Sequence, residues 1–492
     1  MGARQAQPTA RVGRERESEG LVLPGKPGNA GGGKEPWFWV LVREWRVREI
    51  GMRLTTPPAI RTLQRKLYVK AKTEPTFRFY RLYDKVYRAD ILSHAYALAK
   101  ANGGAPGVDG QTFEQIESAG REDWLARLRE DLRTCRYRPA AVRRVYIPKP
   151  GGVGERPLGI PTICDRVVQT AAVLMLSPIF EADFTDAMYG YRPRRSAQQA
   201  VAAVHEALKA GYTEVVDADL SGYFDTIPQT DLLKSVAQRV SDGAMLHLLR
   251  LWLDVPVEER DAAGRVTRTG GRGHGRGTPQ GGPLSPLLAN VYMHRFLRAW
   301  QERSMDRRLK AKVVCYADDF VILCKGPAAE ALSIARRWMQ ALKLTLNETK
   351  TRTCDATQEP FDFLGYTFGP MVHRPTGRTY VGAQPSRRAV ARLRERVRGI
   401  LRPGNQAPWP EVVREVNRVV GGWQRYFSYG TVSRAYWNLD KFLLSRARGF
   451  LMRRHKLPGR GTRRFTAEQV FERDGLFHLG AAHRAARSHA SA

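Results

Sequence analysis

The most constraining feature of the sequence is a pair of adjacent aspartates inside an apolar run, VVCYADDFVILC, at residues 313–324. The β-branched, aromatic and aliphatic residues on both sides predict two short strands, joined as a hairpin whose turn lies at Asp318 and Asp319. Asp is a common turn residue because its short side chain bonds the local backbone. On this segment alone, an ordinary hairpin turn and a chemical site are equally compatible with the sequence.

A second segment supplies further carboxylates. The run TEVVDADLSGYFDTIPQ predicts a strand from Thr213 to Leu220 that ends at a Ser-Gly break. Strand alternation places Asp217 and Asp219 on one face. If the two strands are neighbours, three or more carboxylates meet at one point, where their repulsion requires a cation. Because Mg²⁺ binds carboxylate oxygens and keeps open positions for phosphates, the pattern predicts two-metal phosphoryl transfer by a nuclease or a polymerase.

The charge of the chain indicates its class of partner. The 492 residues include 81 Lys+Arg and 48 Asp+Glu, which gives a net charge of +33. A chain this basic favours nucleic acid as its partner, with an anionic membrane surface second. No apolar run reaches the ~18 residues of a membrane span. The 5 cysteines form no CxxC pair, which indicates a reducing, intracellular setting and no structural zinc.

The residue pattern changes along the chain and predicts an α+β protein of several parts. Residues 1–50 are rich in Gly, Pro and Arg and predict a mobile leader. Residues 51–370 mix short strands with helices without the regular βαβ order of a doubly wound sheet. Residues 371–456 predict Arg-rich helices interleaved with aromatics, and residues 457–492 a short basic tail.

Two glycine-rich motifs predict a nucleotide pocket and favour a polymerase over a nuclease. RGTPQGGPLSPLLANVY, residues 276–292, predicts a turn whose backbone approaches a ligand closely, followed by a helix from about Ser285. IPKPGGVGERPLGIP predicts a hairpin that carries Lys149 and Arg156. These two cations suit a triphosphate.

The ordered motifs resemble those of the reverse transcriptase/maturase proteins encoded by bacterial group II introns. The resemblance implies a right-hand polymerase, with fingers and a ferredoxin-like palm in residues 51–370 and a helical thumb, the maturase or X domain, in residues 371–456. It implies an RNA-directed DNA polymerase that also binds its intron RNA, assists splicing and copies the intron into DNA during intron mobility. The blocks that carry it, between Leu63 and Lys456, are LQRKLYVKAK, RFYRLYDKVYR, NGGAPGVDG, IPKPGGVGERPLGIPT, YGYRPRRSAQQA, DLSGYFDTI, GTPQGGPLSPLLANVY, YADD, LKLTLNETKT, FDFLGYTF and GGWQRYFSYG.

The resemblance also implies the roles of the catalytic residues. It selects Asp219 over Asp217 as one essential ligand of two Mg²⁺ ions and Asp318 as the other, with Mn²⁺ as a substitute metal. Asp319 is then a third carboxylate in a supporting role. Phe224 would be the steric gate beneath the sugar that excludes a 2′-OH, with core packing as its alternative.

Further residues are expected around the substrate. The resemblance implies that Gln280 lines the incoming deoxynucleotide triphosphate and that Lys149 and Arg156 hold its phosphates. Lys350 is expected near the catalytic centre, where it assists pyrophosphate departure; a solvated lysine at a strand edge is its alternative. Asp225 is expected to cap the helix that follows it.

The expected partners are intron RNA, target DNA with its primer, and deoxynucleotide triphosphates. We expect a cytoplasmic protein with no membrane partner, and a homodimer is left open. Arginines of the thumb are expected to contact RNA. Most thumb aromatics are expected in the helical core, from the set Trp423, Tyr426, Phe427, Tyr436 and Trp437.

Two alternatives and one departure from the family pattern remain. Many family members end in an HNH endonuclease with paired cysteines, and no cysteine follows Cys354 here. We therefore expect priming from a nascent strand at a replication fork, or from a hairpin-adjacent site, instead of target cleavage by the protein. The first alternative is a reverse transcriptase without an intron, serving defence, spacer acquisition or repair. The second is a splicing-only protein with an inactive polymerase, whose signature would be loss of a metal carboxylate.

Overall fold

The computed structural model describes residues 55–148, 155–261, 264–279, 281–373, 375–459 and 461–490. The predicted leader at residues 1–50, Lys149 and Gln280 lie outside the described residues. For Arg156 only the backbone is described.

Helices and strands alternate irregularly along the chain. The helices are α1 (Pro58–Thr73), α2 (Tyr83–Val86), α3 (Ala89–Asn102), α4 (Phe113–Ser118), α5 (Arg121–Arg133), α6 (Ile163–Glu181), α7 (Ala197–Lys209), α8 (Tyr223–Thr226), α9 (Gln229–Ala237), α10 (Gly243–Leu253), α11 (Ser285–Glu302), α12 (Met305–Arg308), α13 (Ala328–Ala341), α14 (Arg387–Ile400), α15 (Trp409–Tyr426), α16 (Ser433–Arg454) and α17 (Leu479–Ala490), with a π-helical turn at Gln469–Arg473. The strands are β1 (Val142–Pro148), β2 (Glu155–Ile160), β3 (Glu214–Asp219), β4 (Pro256–Arg260), β5 (Val266–Gly270), β6 (Ala311–Tyr316), β7 (Asp319–Cys324), β8 (Arg352–Asp355), β9 (Phe361–Phe363), β10 (Tyr366–Val372) and β11 (Thr379–Pro385).

The N-terminal half forms helices around a small sheet. Strands β1 and β2 pair antiparallel, which confirms the predicted hairpin, and β4 and β5 extend this sheet in the order β2-β1-β4-β5. Helix α6 is long and apolar enough to cross a membrane by length and composition, but 83% of its apolar window is buried inside the protein. This helix is therefore the centre of the core here, with α1 and α3 packed on it.

The central sheet has ferredoxin-like connectivity. Its strand order is β6-β7-β3-β8, and the three neighbouring pairs are antiparallel. In chain order these strands are second, third, first and fourth. The chain returns from β3 to β6 through helices α8 to α12, and from β7 to β8 through α13. These two crossovers place the ends of β3 and the β6–β7 hairpin side by side, as a polymerase palm requires.

The palm sheet is buried on both faces, and the predicted alternation of β3 is confirmed. Val216 and Ala218 pack into the core shared with the N-terminal helices. Val215 faces the opposite core, together with Val321 and Leu323 of β7. Because successive strand residues point to opposite faces, Asp219 falls on the Val215 face.

The C-terminal region is a three-helix bundle on a small sheet of order β11-β10-β9. Helices α14, α15 and α16 match the three helices predicted from the Arg-rich segments. The boundary that composition predicts near residue 370 falls inside strand β10. Trp423, Phe427 and Tyr436 are at most 2% exposed and pack in the core, whereas Trp437 is 58% exposed.

The segment predicted as a short basic tail packs onto this bundle. Asp440 of α16 accepts hydrogen bonds from the backbone amides of Leu479 and Gly480, each at 2.9 Å, at the start of α17. The first amides of a helix have no partner within it, so a buried carboxylate there satisfies two of them. Trp409 Nε1 donates to Asp474 Oδ2 at 3.0 Å, which ties the π-helical turn to α15.

Candidate active site

The paired aspartates lie at the tip of the β6–β7 hairpin, one residue away from the predicted placement. Tyr316 pairs with Asp319 in the ladder, so the two-residue turn is Ala317 and Asp318. The prediction of a turn at Asp318 and Asp319 is therefore wrong for Asp319, which is the first residue of β7. Ala317 has a φ of 59°, a left-handed conformation that costs about 1–2 kcal/mol in a residue with a Cβ. This conformation allows the turn to form at Ala317 and Asp318, one residue before the position predicted from the two aspartate side chains.

Asp219 and Asp319 face each other across two strands. They are the last register pair of β3 and β7, and they are 4% and 5% exposed. Like charges directly opposite each other destabilise a sheet, and burial raises that cost. Asp318 is half-buried in the adjoining turn. Burial, with the nearby charges of Asp318 and Asp319, raises the pKa of the Cys315 thiol well above its usual range.

A lysine and an asparagine contact Asp219. Lys350 Nζ lies 2.9 Å from Asp219 Oδ2, and Asn347 Nδ2 donates to the same oxygen at 3.3 Å. The backbone N–H of Asn347 also donates to the backbone carbonyl oxygen of Asp219 at 2.8 Å. The chain segment before β8 therefore lies along the end of β3. The Lys350 side chain is 56% exposed yet reaches the buried carboxylate. The structure thus places Lys350 beside Asp219, and its role in pyrophosphate departure stays a prediction.

Asp217, the neighbour of Asp219 on the same strand face, lies in a different setting. Its Oδ2 is 3.9 Å from Arg352 Nε, and its side chain is 16% exposed. Asp217 pairs in register with Val321 of β7 and with Arg352 of β8, two residues back from the facing aspartates. The two aspartates of β3 therefore differ in position along the strand and in the cation beside them, which is Arg352 for Asp217 and Lys350 for Asp219.

The turn at Ala317 and Asp318 rests on a segment to which the sequence analysis assigned no role. Cys315 exchanges backbone hydrogen bonds with Ala187 and Tyr189, each at 2.8 Å, which docks residues 187–189 along β6. Asn290 Nδ2 of α11 donates to the Gly190 carbonyl oxygen at 2.8 Å. A Cβ on Gly190 would lie 2.5 Å from Ala317 N. Gly190 in the motif YGYRPRRS is the sequence feature that could have indicated this contact, because such a close approach of two backbone segments requires a residue without a side chain.

The loop that carries Gly190 is held by a buried ion pair. Arg192 Nη2 lies 2.7 Å from Glu181 Oε1, with the two side chains 5% and 14% exposed. Arg192 Nη1 also donates to the carbonyl oxygens of Thr185 and Met188, at 2.6 and 2.8 Å. Helix α6, which carries Glu181, thereby positions the segment against which the turn at Ala317 and Asp318 packs.

The two glycine-rich motifs predicted to bind the nucleotide contact each other through their backbones. The Thr278 amide donates to the Phe224 carbonyl oxygen at 2.8 Å. A Cβ on Gly281 would lie 2.0 Å from the Gly159 carbonyl oxygen, so the PQGG turn lies directly against β2. Gln280 lies outside the described residues, and the Arg156 backbone pairs with Ile147 in the same sheet as Gly159.

Phe224 and Asp225 lie in the short helix α8, where the chain turns from β3. Phe224 is 3% exposed, and its ring centroid is 5.6 Å from that of Tyr223 and 6.4 Å from that of Tyr191. A gate role and core packing both fit this position. The cap prediction for Asp225 is wrong, because the next helix, α9, has Pro228 at its N-cap and no side-chain cap.

The donor set fits a hard divalent cation, although the carboxylates do not form a closed cage. Carboxylate oxygens are the ligands that Mg²⁺ prefers, and an open site leaves room for phosphates. Within the described ranges, no three or more His, Cys, Asp or Glu side chains are gathered closely enough to hold a metal ion as they stand. Two facing carboxylates with Lys350 as counter-charge, and a third on the adjoining turn, form the arrangement that a cation would complete.

Comparison with known families agrees with this geometry. Residues 147–368 match the family described as reverse transcriptase (RNA-dependent DNA polymerase). Residues 390–467 match the group II intron maturase-specific domain. The first match covers the palm with its facing aspartates and the second covers the helical bundle.

Individual relatives are similar over the same region. Protein YkfC of Escherichia coli K12 is 34% identical over 344 residues, which is 62% of this chain and 87% of that protein. The group II intron-encoded protein LtrA of Lactococcus lactis subsp. cremoris is 30% identical over 351 residues, 58% of this chain but only 56% of LtrA. A solved partial Cas6-RT-Cas1–Cas2 complex is 25% identical over 53% of this chain and 42% of that chain, with a TM-score of 0.31.

A reverse transcriptase with a right-hand polymerase fold is the class of protein that the palm and the matched domains define. The chain belongs to the group II intron reverse transcriptase/maturase family. The predicted fold class, the family resemblance and the enzyme class, an RNA-directed DNA polymerase, are confirmed.

Proposed function

We propose that the protein copies its group II intron RNA into DNA by a two-metal mechanism and binds the same RNA to assist splicing. The observation that carries the catalytic part is the register pairing of Asp219 with Asp319 beside the Asp318 turn. Asp219 and Asp318 would hold two Mg²⁺ ions, or Mn²⁺ in their place, with Asp319 in support. When bound, the metals activate a primer 3′-OH and neutralise charge on the leaving pyrophosphate.

The chain's own residues orient the substrates around these carboxylates. Lys350 Nζ, 2.9 Å from Asp219 Oδ2, places a positive charge beside a buried carboxylate and offers a donor at the reacting centre. This placement supports a role in pyrophosphate departure. Gln280 would line the incoming deoxynucleotide, and Arg156 and Lys149 would hold its phosphates. Phe224 would limit the room at the sugar 2′ position.

The proposed partners follow from the charge and from the maturase-specific domain. With a net charge of +33, the chain suits a long polyanion, and its affinity for RNA should fall steeply with salt. Intron RNA, target DNA with its primer, and deoxynucleotide triphosphates are the proposed ligands. We place the protein in the cytoplasm with no membrane partner, and the proposed mechanism does not require a homodimer. The proposed division is fingers and palm in residues 51–370 and thumb in residues 371–456.

Primer extension on an RNA template tests the catalytic assignment. Asp318→Ala and Asp219→Ala should abolish extension while leaving intron RNA binding largely intact, because the thumb is unchanged. Asp217→Ala is the matched control, since it removes a carboxylate from the same strand face two residues away, beside Arg352. Retained extension by Asp318→Ala would overturn the ligand assignment.

The identity of the bound RNA tests the maturase part. Purification of the protein from its own cells, followed by sequencing of bound RNA, should return an intron with group II sequence elements. Recovery of other RNAs with full polymerase activity would instead support a reverse transcriptase without an intron. Intron RNA recovered with a protein that cannot extend a primer would support a splicing-only protein.

A further inference from the structure

A buried glutamine of helix α6 lies against the PQGG turn. Gln169 is 7% exposed. A Cβ on Gly282 would lie 2.5 Å from Gln169 Oε1, so the side-chain amide contacts the backbone of the second glycine directly. Gly281, one residue earlier, packs in the same way against the Gly159 carbonyl oxygen of β2. The two glycines therefore bring the chain into contact with β2 and with α6, because neither carries a side chain that would keep it away.

The polar groups at this contact are not bonded to each other. Among the described residues, Gln169 Oε1 has no hydrogen-bond partner. The backbone amides of Gly281 and Gly282 likewise donate to no residue of the described ranges. Buried polar groups nearly always have a partner, and an acceptor buried without one lowers stability. An unpaired acceptor beside unpaired donors indicates a second arrangement of the turn in which the bond is made.

The turn is anchored at its start and only weakly closed at its end. The Thr278 amide donates to the Phe224 carbonyl oxygen at 2.8 Å, and Ser285 Oγ donates to the Pro279 carbonyl oxygen at 2.6 Å. The Ser285 amide reaches the Gly282 carbonyl oxygen at 3.4 Å, which is long for an N–H···O bond. A small rotation at the second glycine therefore brings its amide to the buried glutamine without breaking the two short bonds.

The same turn adjoins the groups proposed to bind the nucleotide. Phe224, proposed to lie at the sugar, accepts the Thr278 amide at the start of the turn. Gln280, proposed to line the incoming nucleotide, directly precedes Gly281 and Gly282 in the sequence. A nucleotide contact at residue 280 is thus coupled through the chain to the conformation of both glycines.

We propose that Gln169 is a positioning residue for nucleotide binding. When a deoxynucleotide binds, the Gly282 amide turns toward α6 and donates to Gln169 Oε1, and this bond holds the PQGG turn in its nucleotide-bound arrangement. Because the bond exists in the bound arrangement and not in the unbound one, it increases nucleotide affinity. Because it persists through the chemical step, it does not change the maximal rate. The proposal rests on the proposed polymerase mechanism.

Gln169→Leu removes the amide and keeps a similar side-chain volume. The nucleotide-free variant should melt about 2 °C higher than the parent, because an apolar group replaces a buried unpaired acceptor. Quenched-flow single-turnover extension over a range of deoxynucleotide concentrations gives the nucleotide Kd and the maximal rate separately. The variant should bind the nucleotide about tenfold more weakly, with a maximal rate within about twofold of the parent. A purely structural glutamine would not give higher stability together with weaker binding.

A second variant and a readout without catalysis guard the test. Gln169→Met carries an unbranched side chain that adapts to its surroundings, and it should give the same two changes. On a primer that ends in a dideoxynucleotide, the next correct deoxynucleotide should raise the melting temperature of the parent more than that of either variant, because the weaker ligand stabilises less.

The matched control is Gln64→Leu, in a second buried glutamine that contacts α6. Gln64 is 3% exposed and its Oε1 also lacks a partner in the described part of the chain, but its Nε2 donates to the Leu174 carbonyl oxygen, away from the turn. Gln64→Leu should keep the parental Kd for the nucleotide.

Three results would contradict the proposal. A parental Kd in both Gln169 variants would overturn it alone, with the polymerase mechanism intact. Equal weakening of nucleotide binding by Gln64→Leu would overturn it as well, since the effect would then belong to α6 packing. Failure of the parent to extend any primer would refute the polymerase mechanism and the proposal together.

Discussion

Substitution of Gly190 by alanine should displace the turn at Ala317 and Asp318 directly. The added Cβ would lie 2.5 Å from Ala317 N and 3.1 Å from the Tyr316 carbonyl carbon, whereas Cβ contacts under 3.0 Å essentially never occur. Gly190 is not among the residues with positive φ, so alanine introduces no backbone strain of its own. The contact must therefore open by about half an ångström or more, which moves either the turn or residues 187–190.

The size of the effect follows from this displacement. Overpacking a well-packed interior costs about 1–3 kcal/mol of unfolding free energy. A shift of about 1 Å in the position of a reacting group costs roughly 100-fold in rate. Because Asp318 and Asp319 follow Ala317 directly, we expect Gly190→Ala to lower the single-turnover rate of nucleotide addition by about 10-fold to 100-fold. Intron RNA binding should change little, since the thumb is untouched.

The matched control is Gly326→Ala, two residues after the end of β7. A Cβ at Gly326 would meet no atom within 4 Å, and the residue has no positive φ. Rates should be measured by quenched-flow primer extension with saturating deoxynucleotide, at a temperature where urea titration shows both variants fully folded. A Gly190→Ala enzyme that extends primers at the parental rate would refute the inference that residues 187–190 position the turn. Equal losses in the two variants would do the same.

Three further predictions concern the same region. Arg192→Met should lower the unfolding free energy by about 3–5 kcal/mol, because it leaves the Glu181 carboxylate buried without its partner; a loss under about 1 kcal/mol in urea titration would contradict this. Burial, and then the charge of Arg298, lower the pKa of His294 from 6.5 to about 4. As pH falls from 6.5 toward 4, the unfolded chain binds a proton at His294 that the folded protein does not. About 3 kcal/mol of unfolding free energy, fully present above pH 6.5, should therefore be lost over this range. His294→Gln should flatten stability curves over that window, and parallel curves for parent and variant would count against the depressed pKa. Phe224→Val should admit ribonucleotides in extension assays, whereas unchanged sugar discrimination would assign Phe224 to core packing.

Strand positions in the palm were predictable because they depend on local periodicity. Alternation in TEVVDADL placed Val216 and Ala218 opposite Asp219, and the two cores of the palm follow that division. The hairpin turn was misplaced by one residue because Ala317, the first residue of the two-residue turn, adopts the left-handed conformation that such a turn requires. No propensity of alanine favours that conformation.

The parts of the site that depend on distant contacts were not predictable from residue patterns. Gly190 packs on Ala317, and Asn290 bonds Gly190 from 100 residues further along the chain. Asn347 reaches Asp219 from 128 residues away. A glycine or an asparagine in a loop has many local explanations, and only the folded chain selects among them. The packing of the segment after residue 456 onto the bundle was not predictable for a related reason, since it depends on Asp440 meeting the start of α17.

The arrangement of charge in the palm also bears on the splicing-only alternative. Asp219 and Asp319 are buried directly opposite each other, an arrangement that destabilises a sheet and that hydrophobic residues at both positions would avoid. Lys350, supplied by a segment 131 residues later, offsets only part of that cost because its side chain is more than half exposed. A protein that only bound RNA would gain nothing from this strain, whereas the proposed two-metal mechanism uses these carboxylates to hold its cations. Destabilising residues concentrate where activity requires them, so the charge pattern itself favours a working polymerase.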